Sequence, residues 1–468
     1  MPRQLAILVF TVFVIWLWRQ DAKTRPQFSK ALWIPLIWVL ILGSHPIGWW
    51  LTFFFGIGST GGSNLEGSPI NSAFYSLLIF ASIVVVARRG VSWGKVIRNN
   101  LGLSLFFAYL AVTILWSDFP VATTKRWIKE IGAIPVLLVI LTEERPLEAI
   151  ETVFTRVAFV LFSYSVLAIK YVPEIGRTYS GEGGLQVIGI SEQKNSLGEI
   201  TCICCIILLW QLLEYCTANG KRFYRAPAVQ WVITFAMGLW LLYQCDSKTS
   251  ILCLTLGSAI LLSTRIPLLA RNPKTVLGFC LLIFPLFLTL NSLFNISDSL
   301  LRILGRNPTL TNRTEIWAAI REHPVNPLLG SGFLNYWDAL GQIEIEGYYV
   351  SLKTAHNGYL ELYLDGGMIG IVFLILMLLH AGATNARAYV QAAPAGALAF
   401  AFYCMTLVAN ISESLYARRT PLWECFLLFC LCTSGAAFLA NAAAAEQRSW
   451  GGQEATKEPI FLASPQNW

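Results

Sequence analysis

Histidine is the side chain most suited to moving a proton near neutral pH, and this chain has four: His45, His323, His356 and His380. His380 sits inside an apolar run, His45 precedes Pro46 in a turn, and His323 lies in a Glu-His-Pro corner, so each reads as packing or capping. His356 differs. It stands in AHNGYLELYLDGGMIGIVF, where a polar stretch gives way to an apolar one. An imidazole at that boundary is placed to accept a proton; the structural alternative is that His356 and Asn357 cap the helix that follows. The second chemistry on offer is cationic. Lys125, Arg126 and Lys129 fall in 117–130, Lys170, Arg177 and Lys194 in 170–196, and Arg302, Arg306, Arg313, Arg321 and Lys353 in 291–366. Gathered on one face, such cations would receive an anionic ligand. The plainer reading is that they balance local acids such as Asp118, Glu130, Glu315 and Glu322.

The elements that must position these groups are membrane spans. Of 468 residues, 55% are hydrophobic and only 13% charged, about half the charge of an ordinary soluble domain. Many of the 17 Trp stand at the ends of apolar runs, where amphipathic rings settle at headgroup level. The runs are near 5–18, 31–43, 72–87, 101–116, 131–142, 150–169, 197–215, 229–243, 250–263, 275–290, 367–384, 395–411 and 420–441. The fold expected is therefore an all-α polytopic membrane protein with 12 or 13 transmembrane helices and one large extracytoplasmic loop containing short amphipathic helices. The first run lacks a small-residue cleavage site and is followed by Arg19, Lys23 and Arg25, which suits an anchor better than a leader. The 11 Cys mostly lie inside apolar runs, so even the Cys202/Cys205 pair reads as packing.

Basic residues set the sides. Segments 19–30, 88–98, 219–225 and 264–274 alternate so as to share one face, read as cytoplasmic, and 44–71, with no Lys or Arg, falls opposite. The same parity puts 170–196, 291–366 and 412–419 outside. The expected division is an N-terminal bundle over 1–290 with about ten spans, a periplasmic loop over 291–366, spans over 367–441, and a disordered cytoplasmic tail over 442–468. Within the loop, Thr314 to Glu322 has the period of an amphipathic helix, with Ile316, Trp317 and Ile320 on one face and Pro324 and Pro327 ending it. A secondary transporter would show a half-to-half repeat, which is not evident. Nor is there a Walker loop, a DxD-like metal pair or a Ser-His-Asp arrangement.

Four stretches in order resemble the O-antigen ligase/polymerase superfamily over about residues 100 to 420. They are Gln193-Lys194-Asn195-Ser196-Leu197-Gly198; Ser247-Lys248-Thr249; Arg313 and Trp317 followed by His323-Pro324 and Gly330-Ser331-Gly332-Phe333; and His356-Asn357 followed by Asp365-Gly366-Gly367 and Gly370. Each is weak alone; the set is specific. Lys248 departs from the family's Ser-Arg-Thr, keeping the charge and losing the bidentate fork. The pattern is most similar to exopolysaccharide polymerases, with O-antigen ligases close behind. The resemblance implies a multi-pass protein of the bacterial inner membrane that moves glycan from an undecaprenyl-diphosphate donor to an acceptor glycan or lipid on the outer face. No nucleotide sugar, cofactor or metal is expected, and no nucleic acid; membrane lipids, a flippase and a chain-length regulator are the further partners. It makes His356 and Arg313 the catalytic candidates, and Lys194, Lys248, Asn357 and Arg321 those for binding diphosphate or substrate.

Overall fold

Backbone amides surrounded by hydrocarbon can be satisfied only inside a helix or a closed barrel, and helices carry this chain. The computed structural model describes residues 2–25, 28–56, 68–179, 184–219, 226–279, 313–345, 348–350 and 352–434. In chain order the helices are α1 (Arg3–Thr24), α2 (Trp33–Leu42), α3 (Ile47–Phe55), α4 (Pro69–Arg88), α5 (Trp93–Asn99), α6 (Leu101–Val112), α7 (Pro120–Ile131), α8 (Ala133–Leu141), α9 (Pro146–Tyr171) and α10 (Pro173–Gly176). They continue as α11 (Lys194–Asn219), α12 (Ala226–Cys245), α13 (Lys248–Ser263), α14 (Pro267–Ala270), α15 (Arg313–Glu322), α16 (Tyr336–Leu340), α17 (Gly358–Gln391), α18 (Ala393–Ala409) and α19 (Pro421–Thr433). Two antiparallel hairpins interrupt them: β1 (Arg177–Tyr179) pairs with β2 (Leu185–Val187), and β3 (Ile343–Ile345) with β4 (Tyr348–Val350).

The surface inverts that of a soluble protein. Leu8 and Val12 on α1, Leu77 and Phe80 on α4, and Val372 and Leu379 on α17 are exposed, while every residue of α19 is buried. The molecule is a polytopic α-helical membrane protein. Among the described residues, six helices (α1, α4, α9, α11, α12 and α17) are long and apolar enough to cross a membrane, and two bent pairs raise this to eight. One pair is residues 30–42 with 47–55, bent by 74°; the other is 93–99 with 101–116, bent by 99°. Three apolar helices, α13, α18 and α19, are shorter. Among the described residues the apolar runs expected to span thus include bent pairs and short helices as well as straight ones. Pro46 starts a new helix after the His45 turn, and α8 is only nine residues, buried among neighbours that replace lipid around it. Pro135, which has no amide for Ile131, accounts for the interruption between α7 and α8. The run at 275–290 lies largely outside the described residues, as do 291–312 and the tail at 442–468.

The described helix α15 carries the amphipathic face expected: Ile316 and Ile320 are buried and Trp317 donates Nε1–H to Ala355 O at 2.9 Å. The boundary placed between 366 and 367 falls inside α17, which begins at Gly358 and is broken at Gly367 (φ 61, ψ −162). A break orphans amides on one side and carbonyls on the other. The strip 327–332 meets both. Met368 N donates to Pro327 O at 2.9 Å and Ile369 N to Leu328 O at 3.2 Å, while Ser331 N and Gly332 N donate to Leu364 O and Asp365 O at 2.9 Å each. The Tyr109 hydroxyl of α6 donates to Gly366 O at 2.5 Å. The fit is tight: a Cβ on Gly330 (φ +69) would sit 2.6 Å from the backbone of Asp365. The glycine-rich motif is thus a backbone splint that lets a helix enter the bundle with a bend.

Candidate functional site

At the end of the bundle where α2 and α9 finish and α4, α11, α13, α17 and α19 begin, a cavity of about 580 Å³ opens, within the range of small-ligand sites, about 300–1,000 Å³. It is lined from 41–46, 68–75, 192–203, 247–253, 354–356 and 405–422, with Lys129 of α7. These are the helix ends and loops that the basic residues assign to the outer face. At the opposite end, Arg89 pairs with Glu143 and Arg265 with Glu214.

His356 lines this cavity. Its Nδ1 is buried with no hydrogen-bond partner and lies 3.8 Å from Glu413 Oε2. Glu413 Oε1 in turn accepts from Asn195 Nδ2 at 2.9 Å. An imidazole backed by a positioned carboxylate is the arrangement of a general base and its orienter. His356 itself is held in the left-handed region at φ 51. All the positive-φ non-glycine residues among those described, Asp246, Leu334, His356, Ala417 and Arg419, stand at this end of the bundle, and strain of this kind persists only where surrounding structure enforces it. Glu361 is the enforcer. Buried one turn into α17, it accepts from Ala355 N (2.7 Å), Ser414 Oγ (3.0 Å) and Thr354 Oγ1 (3.3 Å), and from Trp337 Nε1 and Arg418 Nη2. It therefore ties α16, the approach to α17 and the 410–420 turn to one carboxylate.

The cations of the cavity are Lys129, Arg418 and Arg419. Arg418 is committed, pairing with Glu361 and lying 3.6 Å from Asp365 Oδ2. Arg419 is freer: its Nε lies 3.7 Å from Glu130 Oε1, its guanidinium stacks 4.6 Å over Tyr75, and Nη1 is buried without a hydrogen bond. Lys129 Nζ donates to Ser72 Oγ at 2.9 Å. Burial, then the charges of Arg419, Lys125 and Arg126, hold the Lys129 ammonium below its ordinary pKa. Burial also pushes the Glu192 carboxyl up, against the pull of Arg419 and Lys353.

Of the catalytic and binding candidates His356, Arg313, Lys194, Lys248, Asn357 and Arg321, His356 alone lines the cavity among the described residues, and Lys129 joins it from the cations noted in 117–130. Asn357 is the cap of α17, accepting from Tyr359 N (3.0 Å) and Leu360 N (3.1 Å). Lys194 begins α11 beside lining residues Gln193, Asn195 and Ser196, yet is not itself in the lining. Lys248 pairs at 2.6 Å with Asp246, both side chains about half exposed, while Ser247 and Thr249 line the cavity. Arg321 is exposed on α15, away from the lining. Arg313 starts α15, and its side chain lies outside the described residues. Glu413, Arg418 and Arg419 were not singled out, although a signal exists. The loop 412–419 was read as outer, and two Arg there run against the positive-inside rule just as Lys125, Arg126 and Lys129 do.

Residues 233–375 match the family model described as O-antigen ligase. The exopolysaccharide production protein ExoQ of Rhizobium meliloti (strain 1021) is 32% identical over 91 residues, covering 18% of this chain and 21% of that protein. The matched residues include the α13 wall, α15, the splint, and the start of α17 with His356 and Glu361 nearby. Lys129, Glu192, Asn195, Glu413, Arg418 and Arg419 stand outside them, so the cavity is completed by elements on both sides of the match.

Proposed function

We propose that this protein transfers glycan from an undecaprenyl-diphosphate donor to an acceptor sugar hydroxyl at the outer face of the bacterial cytoplasmic membrane, as a polymerase of exopolysaccharide repeat units. The observation that carries the reading is the placement of His356 with Glu413 in the same outer-face cavity as Arg419 and Lys129. In the reaction proposed, the acceptor oxygen attacks the anomeric carbon, the bond from that carbon to the diphosphate oxygen breaks, and His356 takes the hydroxyl proton. The lipid diphosphate leaves with negative charge, which fixed cations stabilise in a dry site. Arg419, with its unbonded Nη1, and Lys129 are the cations proposed for this, in place of Lys194 and Lys248. Arg418 serves as a strut for Glu361. Glu413, 3.8 Å from Nδ1, is the carboxylate proposed to orient the imidazole.

The similarity to an exopolysaccharide production protein supports exopolysaccharide as the product, and the ligase description of the matched model keeps transfer to a lipid acceptor as the second reading. Purified protein in liposomes, supplied with lipid-linked repeat units, should lengthen the glycan. A deletion strain separates the two activities: single units still attached with long chains lost supports polymerase. Lipid-linked polymer accumulating with none attached would make the protein a ligase.

A further inference from the structure

The opposite end of the bundle holds a second cavity, about 370 Å³, between α1, α2 and α9. Its lining divides by chemistry: Arg25, Lys30 and Arg156 on one side, Phe28, Leu32, Trp33 and Leu36 on the other. Arg25 is fully engaged, with Nε on Asp21 (2.6 Å), Nη1 on Glu151 (3.0 Å), and Nη2 on Thr155 (3.2 Å) and Gln211 (2.9 Å). Arg156 is not. Its Nε donates to Asp21 Oδ2 at 2.9 Å and its guanidinium lies 5.6 Å over the Trp18 ring, which fixes the plane and leaves its terminal nitrogens unbonded among the described residues. Two carboxylates, Asp21 and Glu151, thus face three cations; Glu143, next to them, is occupied by Ser29 and Arg89. Trp18 and Trp33 pack at 5.4 Å between ring centroids, a pair of amphipathic rings such as mark the headgroup level. Trp33 is half exposed.

We propose that this cavity binds an anionic phospholipid of the inner leaflet, its phosphate on Arg156 and Lys30 and an acyl chain along Leu32, Trp33 and Leu36. Basic pockets between spans on the cytoplasmic side recognise anionic head groups in this way. Inorganic phosphate would satisfy the same donors; the apolar wall beside them is what favours the lipid. The site lies on the face opposite His356 and does not depend on the glycan reaction.

The test is thermal unfolding of the full chain in neutral detergent, with phosphatidylglycerol, phosphatidylcholine or inorganic phosphate added. Phosphatidylglycerol is expected to raise Tm by a few degrees more than phosphatidylcholine, and Arg156→Gln to abolish that difference. Because Arg156 also holds Asp21, exposed Lys30→Gln, which breaks no side-chain hydrogen bond or ion pair among the described residues, is the second variant and should halve the difference or more. Equal shifts from both lipids, or an undiminished difference in both variants, would overturn the proposal. So would inorganic phosphate reproducing the whole shift, which would make this a free-anion site.

Discussion

His356 combines a buried imidazole nitrogen that has no hydrogen-bond partner among the described residues with a backbone at φ 51, a combination that motivates a functional test. If His356 accepts the proton of the attacking hydroxyl, His356→Gln should lower transfer on the order of 10²–10⁴-fold with the protein level unchanged. The rate of glycan elongation in proteoliposomes measures this. Retention of more than a tenth of the rate would leave His356 a positioning residue and send the search for the base to Glu192 or Glu413. Lys129 offers a check with a sign. Its pKa is lowered by burial and by Arg419, Lys125 and Arg126, so it loses its proton at a lower pH than an ordinary lysine, and transfer should fall on that alkaline limb. Lys129→Arg, which stays charged throughout, should move the limb to higher pH. A limb that stays where it was would remove Lys129 from the anion site.

Among the elements, the broken helix α17 and its splint decide the geometry. Gly330 combines φ +69 with a space that a Cβ would overrun, so Gly330→Ala should destabilise by about 1–3 kcal/mol and lower the Tm in detergent. Asn357→Ala removes two capping bonds and should cost about 0.5–2 kcal/mol, leaving transfer per folded molecule within a few-fold of normal. A larger loss in turnover than in Tm for Asn357→Ala would return the side chain to the substrate site. The two variants separate the splint from the cap, although both flank the same nine residues of α17.

For the whole molecule the open question of sidedness has a direct reading. Tyr179, at the end of β1, and Leu268, in α14, are each about three-quarters exposed, at 73% and 76%, and stand at opposite ends of the bundle. In a cysteine-free background, Tyr179→Cys should react with an impermeant maleimide in intact spheroplasts and Leu268→Cys only after permeabilisation. The reverse result would invert the orientation and place the His356 cavity in the cytoplasm.

Composition and period alone determined that the chain is helical and membrane-embedded, because apolar runs without charge have no other stable surroundings. The same local information located the helix at 313–322 and marked His356 as the imidazole at a boundary. The bends of the spans and the composition of the site did not follow from it. Bends at Pro46 and Gly367, and the burial of the nine-residue α8, depend on neighbours that linear length does not reveal. The site failed for a sharper reason. Successive residues of a helix point about 100° apart, so Lys194 and Lys248 sit beside lining residues without lining the cavity themselves. The residues that share the cavity with His356, Lys129 from far upstream and Glu413 and Arg419 from the turn between α18 and α19, are separated in sequence, and only the packing of α4, α7, α11, α18 and α19 brings them to one opening.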